Sequence, residues 1–279
     1  VIARRRVLTG AALAALTAPF AASAQDGEAG ALERVKKRGS LVVAVYEDYP
    51  PFNVGGKGID VEVAAALAAG LGVKLALLPF TAGEKINDDL RAAVWRGHFL
   101  GWGPADVMLH VPMDRELIEA NPQVEVVGPY YRERVMLAWD RERGPAPRTA
   151  DDLRGQPVAV AGVSLAGWLL AGAEGGALRD SLSTQHADGV RAAHSLLEGK
   201  VAAAAGLASE LESTLAGQPR YEIVPLPSSR APRNGWVIGC AVKRGSTELA
   251  RAVHDRLAEL GRGAALSEIF RRAGVTWRA

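Results

Sequence analysis

The chain has 279 residues, 48% of them apolar and 23% charged, with 33 Lys and Arg against 31 Asp and Glu. That is the profile of a soluble globular protein with one large domain or two modest ones. A net charge of +2 gives no strong basic field to attract nucleic acid or anionic lipid, so those classes of partner are set aside.

At the N-terminus, Arg4-Arg5-Arg6 precede an apolar run, residues 7–22, broken by Gly10 and Pro19. Ala22-Ser23-Ala24 supplies a small-x-small cleavage site, so residues 1–24 read as an export signal removed after Ala24. A membrane span needs about 20 unbroken apolar residues, and this run is shorter. The Arg pair followed by Val-Leu also suits twin-arginine export, which leaves the route open. The signal holds three Arg and no acid, so cleavage takes the net charge from +2 to −1. The single cysteine, Cys240, permits no internal disulfide although the destination is oxidising. It lies in an apolar run and reads as a buried, inert thiol.

After a small polar leader, residues 31–39 predict a short helix closed by Gly39. Residues 41–45 (LVVAV) form a fully apolar run, the pattern of a parallel strand buried on both faces. Tyr46 to Phe52 (YEDYPPF) follows as a rigid turn, because two prolines bar helix. Asp60 is read as the cap of an apolar helix over 61–71, ended by Gly72. With a strand at 73–78, this strand–helix–strand order predicts a right-handed crossover in a parallel sheet. A second helix spans 86–96, and a Gly- and aromatic-rich loop (GHFLGWG, 97–103) leads to a strand at 105–110. A turn and short helix come next, then a strand toward Pro129-Tyr130-Tyr131.

Residues 135–139 read as a strand leaving a first lobe, and 140–147, charged with two prolines, as a linker. The pattern then restarts, with a strand at 158–161 and Ser164 capping a helix over 165–173. A helix from Asp188, a small-residue strand at 201–205, a helix at 208–215 and a strand at Tyr221–Pro225 complete the block. Strand 236–242 and two helices, 248–260 and 266–273, finish the chain. The first of these helices sets Leu249, Val253, Leu257 and Leu260 on one face. Two connecting segments imply an inserted lobe: 31–137 with 236–279 as lobe 1, and 140–232 as lobe 2. The fold class is α/β, two-lobed with two hinge crossovers, and a hinge-bending clamp follows.

The phrases LVVAVYEDYPPF (41–52), GIDVEVAAALAAGLGVKLAL (58–77), GPYYRERVMLAW (128–139), DLRGQPVAVAGVS (152–164), GVRAAHSLLEGKVAAAA (189–205) and VIGCAVKRGSTELARAVHDRLAEL (237–260) stand in a telling order. With the tail GAALSEIFRRAGV (263–275), they resemble the family-3 extracellular solute-binding proteins over nearly the whole mature chain. The resemblance implies the type II periplasmic-binding-protein fold, a periplasmic monomer, an ABC transporter permease as partner, and no cofactor. Members that bind amino acids carry a carboxylate in the strand matching 201–207. VAAAAGL has none, so an α-ammonium there would lose a charge-assisted bond. A small polar ligand, carboxylate-bearing or aromatic and without an α-ammonium, is therefore expected. Asp106-Val107-Met108 with Val111-Pro112 also resembles a subset associated with quinoprotein dehydrogenases, which implies a periplasmic dehydrogenase or cytochrome partner as the alternative. The same fold hosts a periplasmic dehydratase, a second alternative; a catalytic acid would then come from the cleft, with Glu47 and Asp48 nearest. No catalytic residue is assigned.

The ligand-binding candidates are Tyr46, Tyr49, Trp102, His110, Arg115 and Ser164. Tyr46, Tyr49 and Phe52 follow the first strand, where the family places an aromatic floor; Phe52 also suits the core. Trp102 lies in the glycine-rich loop as a cleft rim or as packing against the next helix. His110 ends a strand facing the cleft, as a ligand contact or as a satisfied strand-end histidine. The resemblance makes Arg115 the nearest counterpart of the family's carboxylate-binding Arg; its plain alternative is a solvated first-turn residue. Ser164 offers a hydroxyl at a helix start, as an anion contact, as an N-cap or as both. Met108, His110 and Met113 with His98 allow a soft-metal reading, but one face of the strand must pack the core, and no metal is assigned.

Overall fold

A computed structural model describes residues 30–279; the expected export signal at 1–24 lies outside the described residues. Helix α1 (Ala31–Arg38) ends at Gly39, whose φ of 73° supplies the left-handed C-cap that glycine adopts without penalty. Strand β1 (Ser40–Tyr46) pairs in parallel with β2 (Lys74–Phe80) across helix α2 (Ile59–Gly70), and with β3 (Val107–Pro112). Helix α3 (Ile86–Leu90) runs into a π-helical turn, Arg91–Trp95. Strand β3 starts two residues later than expected. Just before it, the Asp106 carboxylate, not a strand carbonyl, accepts the Val42 N–H at 2.7 Å.

Helix α4 (Arg115–Ala120) and strand β4 (Val124–Glu133) follow. The sheet is completed far downstream by β10 (Trp236–Lys243), which lies antiparallel between β3 and β4, giving the order β2-β1-β3-β10-β4. Alternation along β1 buries it on both faces. Leu41, Val43 and Val45 meet α2 and the C-terminal helices α8 (Thr247–Arg262) and α9 (Ala265–Arg272), while Ala44 meets Leu90, Val94 and Met108. This is why β1 reads as one unbroken apolar run. Leu249, Val253, Leu257 and Leu260 of α8 are all buried in the same core, on the face expected.

The second sheet comes from the middle of the chain, in the order β7-β6-β8-β5-β9. Its strands are β5 (Val135–Asp140), β6 (Val158–Val160), β7 (Leu182–Ser183), β8 (Ala203–Leu207) and β9 (Tyr221–Pro225). Helices α5 (Leu165–Ala171), α6 (Gly189–Leu197) and α7 (Ala208–Thr214) belong with it. Strand β5 pairs antiparallel with β8 over 135–139 and with β9 over 136–140. Val135 and Met136, expected to close the first lobe, are thus already in the second sheet, and the chain crosses at Arg134. The reason is register: Val135 pairs with Leu207, and Met136 pairs with both Gly206 and Pro225. The alanines of β8 answer a packing need. A Cβ on Gly206 would come within 2.9 Å of the Gly189 Cα at the start of α6, so only small residues let helix and strand approach.

Candidate ligand-binding site

Ligands of open α/β sheets lie beyond the carboxyl ends of the strands. Here the ends of β1 and β2 carry a row of rings. Tyr46 lies 4.8 Å from Phe80 and 5.9 Å from Tyr49, centroid to centroid. Phe80 stacks on Trp102 at 5.5 Å, and Trp102 stacks on His98 at 4.5 Å with planes 11° apart. On the other side, Tyr49 meets His110 edge-on at 4.8 Å and Phe52 at 5.4 Å. Tyr46, Tyr49, Trp102 and His110 therefore stand in one continuous row, with Tyr49 and Trp102 part-exposed. Such ring pairs are worth about 0.5–1.5 kcal/mol each beyond their buried area, enough to hold a rigid apolar wall.

Behind the row sits a buried polar cluster. Asp60 is 1% exposed; one oxygen accepts from the Tyr130 hydroxyl at 2.7 Å and the other lies 3.1 Å from His110 Nδ1. The Tyr130 hydroxyl accepts in turn from the His110 backbone N–H at 3.1 Å. His110 has a φ of 61°, a left-handed conformation that costs a non-glycine residue about 1–3 kcal/mol and persists where surroundings over-determine it. The cap role expected for Asp60 is corrected here. Gly58 precedes α2, and the Asp60 carboxylate turns inward to serve histidine and tyrosine.

Two more carboxylates lie where the sheets meet. Glu133, the last residue of β4, accepts from Ser209 Oγ of α7, from the Ser209 N–H at 3.4 Å and from the Arg134 N–H at 2.9 Å. Glu210 accepts from the Leu207 N–H at 2.8 Å and the Gly189 N–H at 3.1 Å, one on each oxygen. Desolvation pushes both carboxyls up, Glu210 to about 7, against the pull of those hydrogen bonds. Burial also raises the Tyr49 phenol, with the charges of Glu133, Glu210 and Asp60 adding to it. The charges of three carboxylates thus act on the Tyr49 hydroxyl.

The remaining two candidates stand apart from the row. The side chain of Arg115 is 89% exposed and pairs along its helix with Glu119 at 2.7 Å. Ser164 caps α5, accepting from the Gly167 N–H at 3.1 Å and donating to the Ala161 carbonyl at 2.7 Å. Met108, one of the soft-metal candidates, is fully buried in the core.

No family model matches the chain. The L-cystine-binding protein TcyJ of Escherichia coli strain K12 is 28% identical over 284 positions, covering 98% of this chain and 97% of TcyJ. Among solved structures, the ancestral cationic amino acid solute binding protein AncCDT-1 superposes with a TM-score of 0.67 at 19% identity, covering 86% of this chain and 98% of its own. An amino acid ABC transporter substrate-binding protein from Streptococcus pneumoniae, bound to L-arginine, gives 0.61 at 20% identity, with 90% and 100% covered. The chain has the two-lobed fold of the type II periplasmic binding proteins. These relatives support a solute-binding role.

In a type II binding fold the site lies between the lobes, and Glu133 and Ser209 meet at that junction. Asp60, Tyr130, Glu133 and Glu210 were not among the ligand-binding candidates read from sequence, Asp60 having been read only as a cap. Asp60 and Glu133 carried little signal, since Glu62 follows Asp60 two residues on and Glu133 stands between Arg132 and Arg134. Nothing in the sequence separates Glu210 from a glutamate on a solvated helix face, because its partners Gly189 and Leu207 come from two different elements.

Proposed function

We propose that this chain is an exported solute-binding protein that closes its lobes on a small polar molecule and delivers it to an ABC importer. The observation that carries this reading is the unbroken row from Trp102 through Phe80, Tyr46 and Tyr49 to His110, a continuous aromatic wall at the sheet's carboxyl edge. Tyr46, Tyr49, Trp102 and His110 would contact the ligand from the first lobe and Ser164 from the second. Arg115 would exchange Glu119 for a ligand carboxylate, a cheap exchange because an exposed ion pair is worth only about 0–1 kcal/mol.

The ligand class follows from the carboxylates. Each oxygen of Glu210 accepts a backbone N–H, and Glu133 is held by Ser209 and two backbone amides. With every oxygen of both carboxylates already engaged by protein donors, neither offers a free partner to an α-ammonium. A carboxylate-bearing or aromatic solute without that ammonium is the better fit. Isothermal titration with a panel of aromatic acids and standard amino acids, L-cystine and L-arginine included, tests it. Binding confined to acids lacking the α-ammonium is expected. Tight binding of an amino acid overturns the ligand class and leaves the solute-binding role standing; no binding across a broad solute library overturns both.

A further inference from the structure

A groove of about 970 Å³ opens on the second lobe, beside the chain crossings and away from the ring row. Its floor is Val135 of β5 with Val224 of β9, on one face of the sheet, and its walls are three loops, 145–150, 172–174 and 225–233. Five prolines stiffen those loops, Pro145, Pro147, Pro225, Pro227 and Pro232, so the walls are preformed rather than gathered by a ligand. None of Tyr46, Tyr49, Trp102, His110, Arg115 or Ser164 lines it.

Charge distinguishes this groove from an ordinary surface dent. Arg134, Arg148, Arg230 and Arg233 line it against two acids, Glu174 and Glu222, and Glu222 is engaged by Arg141 at 3.4 Å. The Arg148 charge acts on the Asp152 carboxylate; among the described residues, Arg134, Arg230 and Arg233 make no salt bridge to a carboxylate. The Nε of Arg134 is buried and has no hydrogen-bond acceptor. Buried polar atoms are nearly always satisfied, so a donor left over at the edge of a cationic groove calls for an acceptor from outside. A guanidinium fork matches a carboxylate or sulfonate, and the apolar floor suits a ring or a short chain.

We propose that this groove is a second binding site, separate from the interlobe cleft, for an organic anion with an apolar body. The anionic group lies among Arg134, Arg230 and Arg233, and the body lies on Val135 and Val224.

Valine methyls make the test site-specific, because Val135 and Val224 line the groove whereas Val43 and Val107 are buried in the core of the first lobe. With valine methyls labelled with carbon-13, naphthalene-2-sulfonate is titrated into the chain and followed by NMR. The Val135 and Val224 resonances shift saturably and those of Val43 and Val107 stay in place. Arg230→Gln, on an exposed loop, weakens the affinity roughly tenfold, the effect of one lost charge-assisted contact; Arg134→Gln does the same where it folds. The neutral naphthalene-2-methanol binds at least tenfold more weakly on the same grounds. A shift at Val43 or Val107 without one at Val135 or Val224, equal affinity for the alcohol, or an Arg230→Gln affinity equal to the parent's overturns the proposal.

Discussion

At the scale of single residues, the buried acids set how the protein responds to pH and to mutation. The Glu210 carboxyl is raised by desolvation from its ordinary 4.5 to about 7. The folded state therefore holds a proton between those values that the unfolded chain releases. Its contribution to stability is complete below 4.5 and is lost as the pH rises through about 7. A shift of this size is worth about 3 kcal/mol. Glu210→Gln keeps a neutral side chain at every pH, so its stability relative to the parent improves between pH 5 and pH 8; urea denaturation at both values reads the difference. The Asp60 cluster behaves differently. Tyr130→Phe removes the donor to Asp60 and the acceptor for the His110 N–H together. Leaving such groups unsatisfied costs about 1–3 kcal/mol, measured as a lower denaturation midpoint with an unchanged slope.

Among the elements, α5 shows how a short helix depends on its first residue. Its seven residues include Gly167, and short helices in water are marginal without tertiary packing and caps. Ser164 satisfies the Gly167 N–H. Ser164→Ala therefore destabilises the protein by about 1 kcal/mol, and Ser164→Gly by a few tenths. Comparing these two variants separates the cap from any ligand contact. If affinity falls equally in both while stability falls only in the first, the hydroxyl touches the ligand.

For the whole molecule, the C-terminal tail ties the lobes beside the crossings. Arg132 N–H donates to the Arg278 carbonyl at 2.9 Å and Trp277 Nε1 to the Tyr130 carbonyl at 2.7 Å, which fixes the tail along β4. From there Thr276 N–H reaches Glu212 of α7 at 2.8 Å, and the Arg278 guanidinium pairs with the same carboxylate. With the Ser209–Glu133 bond, these contacts limit how far the lobes part. Glu212→Gln replaces the ion pair with a neutral contact, so it broadens the interlobe distance distribution. Single-molecule energy transfer between labels on α1 and α6 reads that change; a distribution identical to the parent's would show that the tail bears no load.

Much of this molecule was legible in the chain itself, because it rests on local periodicity. The both-faces-buried run 41–45, the apolar stripe of α8 and the restart of the strand–helix pattern after residue 149 each follow from which neighbours along the chain are apolar. The aromatic row was half legible: Tyr46 and Tyr49 follow β1 directly, and Trp102 sits in a glycine-rich loop. Only the tertiary structure decided which acids are buried and where the chain changes sheets. Asp60 meets Tyr130 across 70 positions, Glu133 meets Ser209 across 76, and Val135 joins the second sheet through its pairing with Leu207. Desolvation and hydrogen bonding depend on atoms brought near by folding, and a linear pattern carries no record of them.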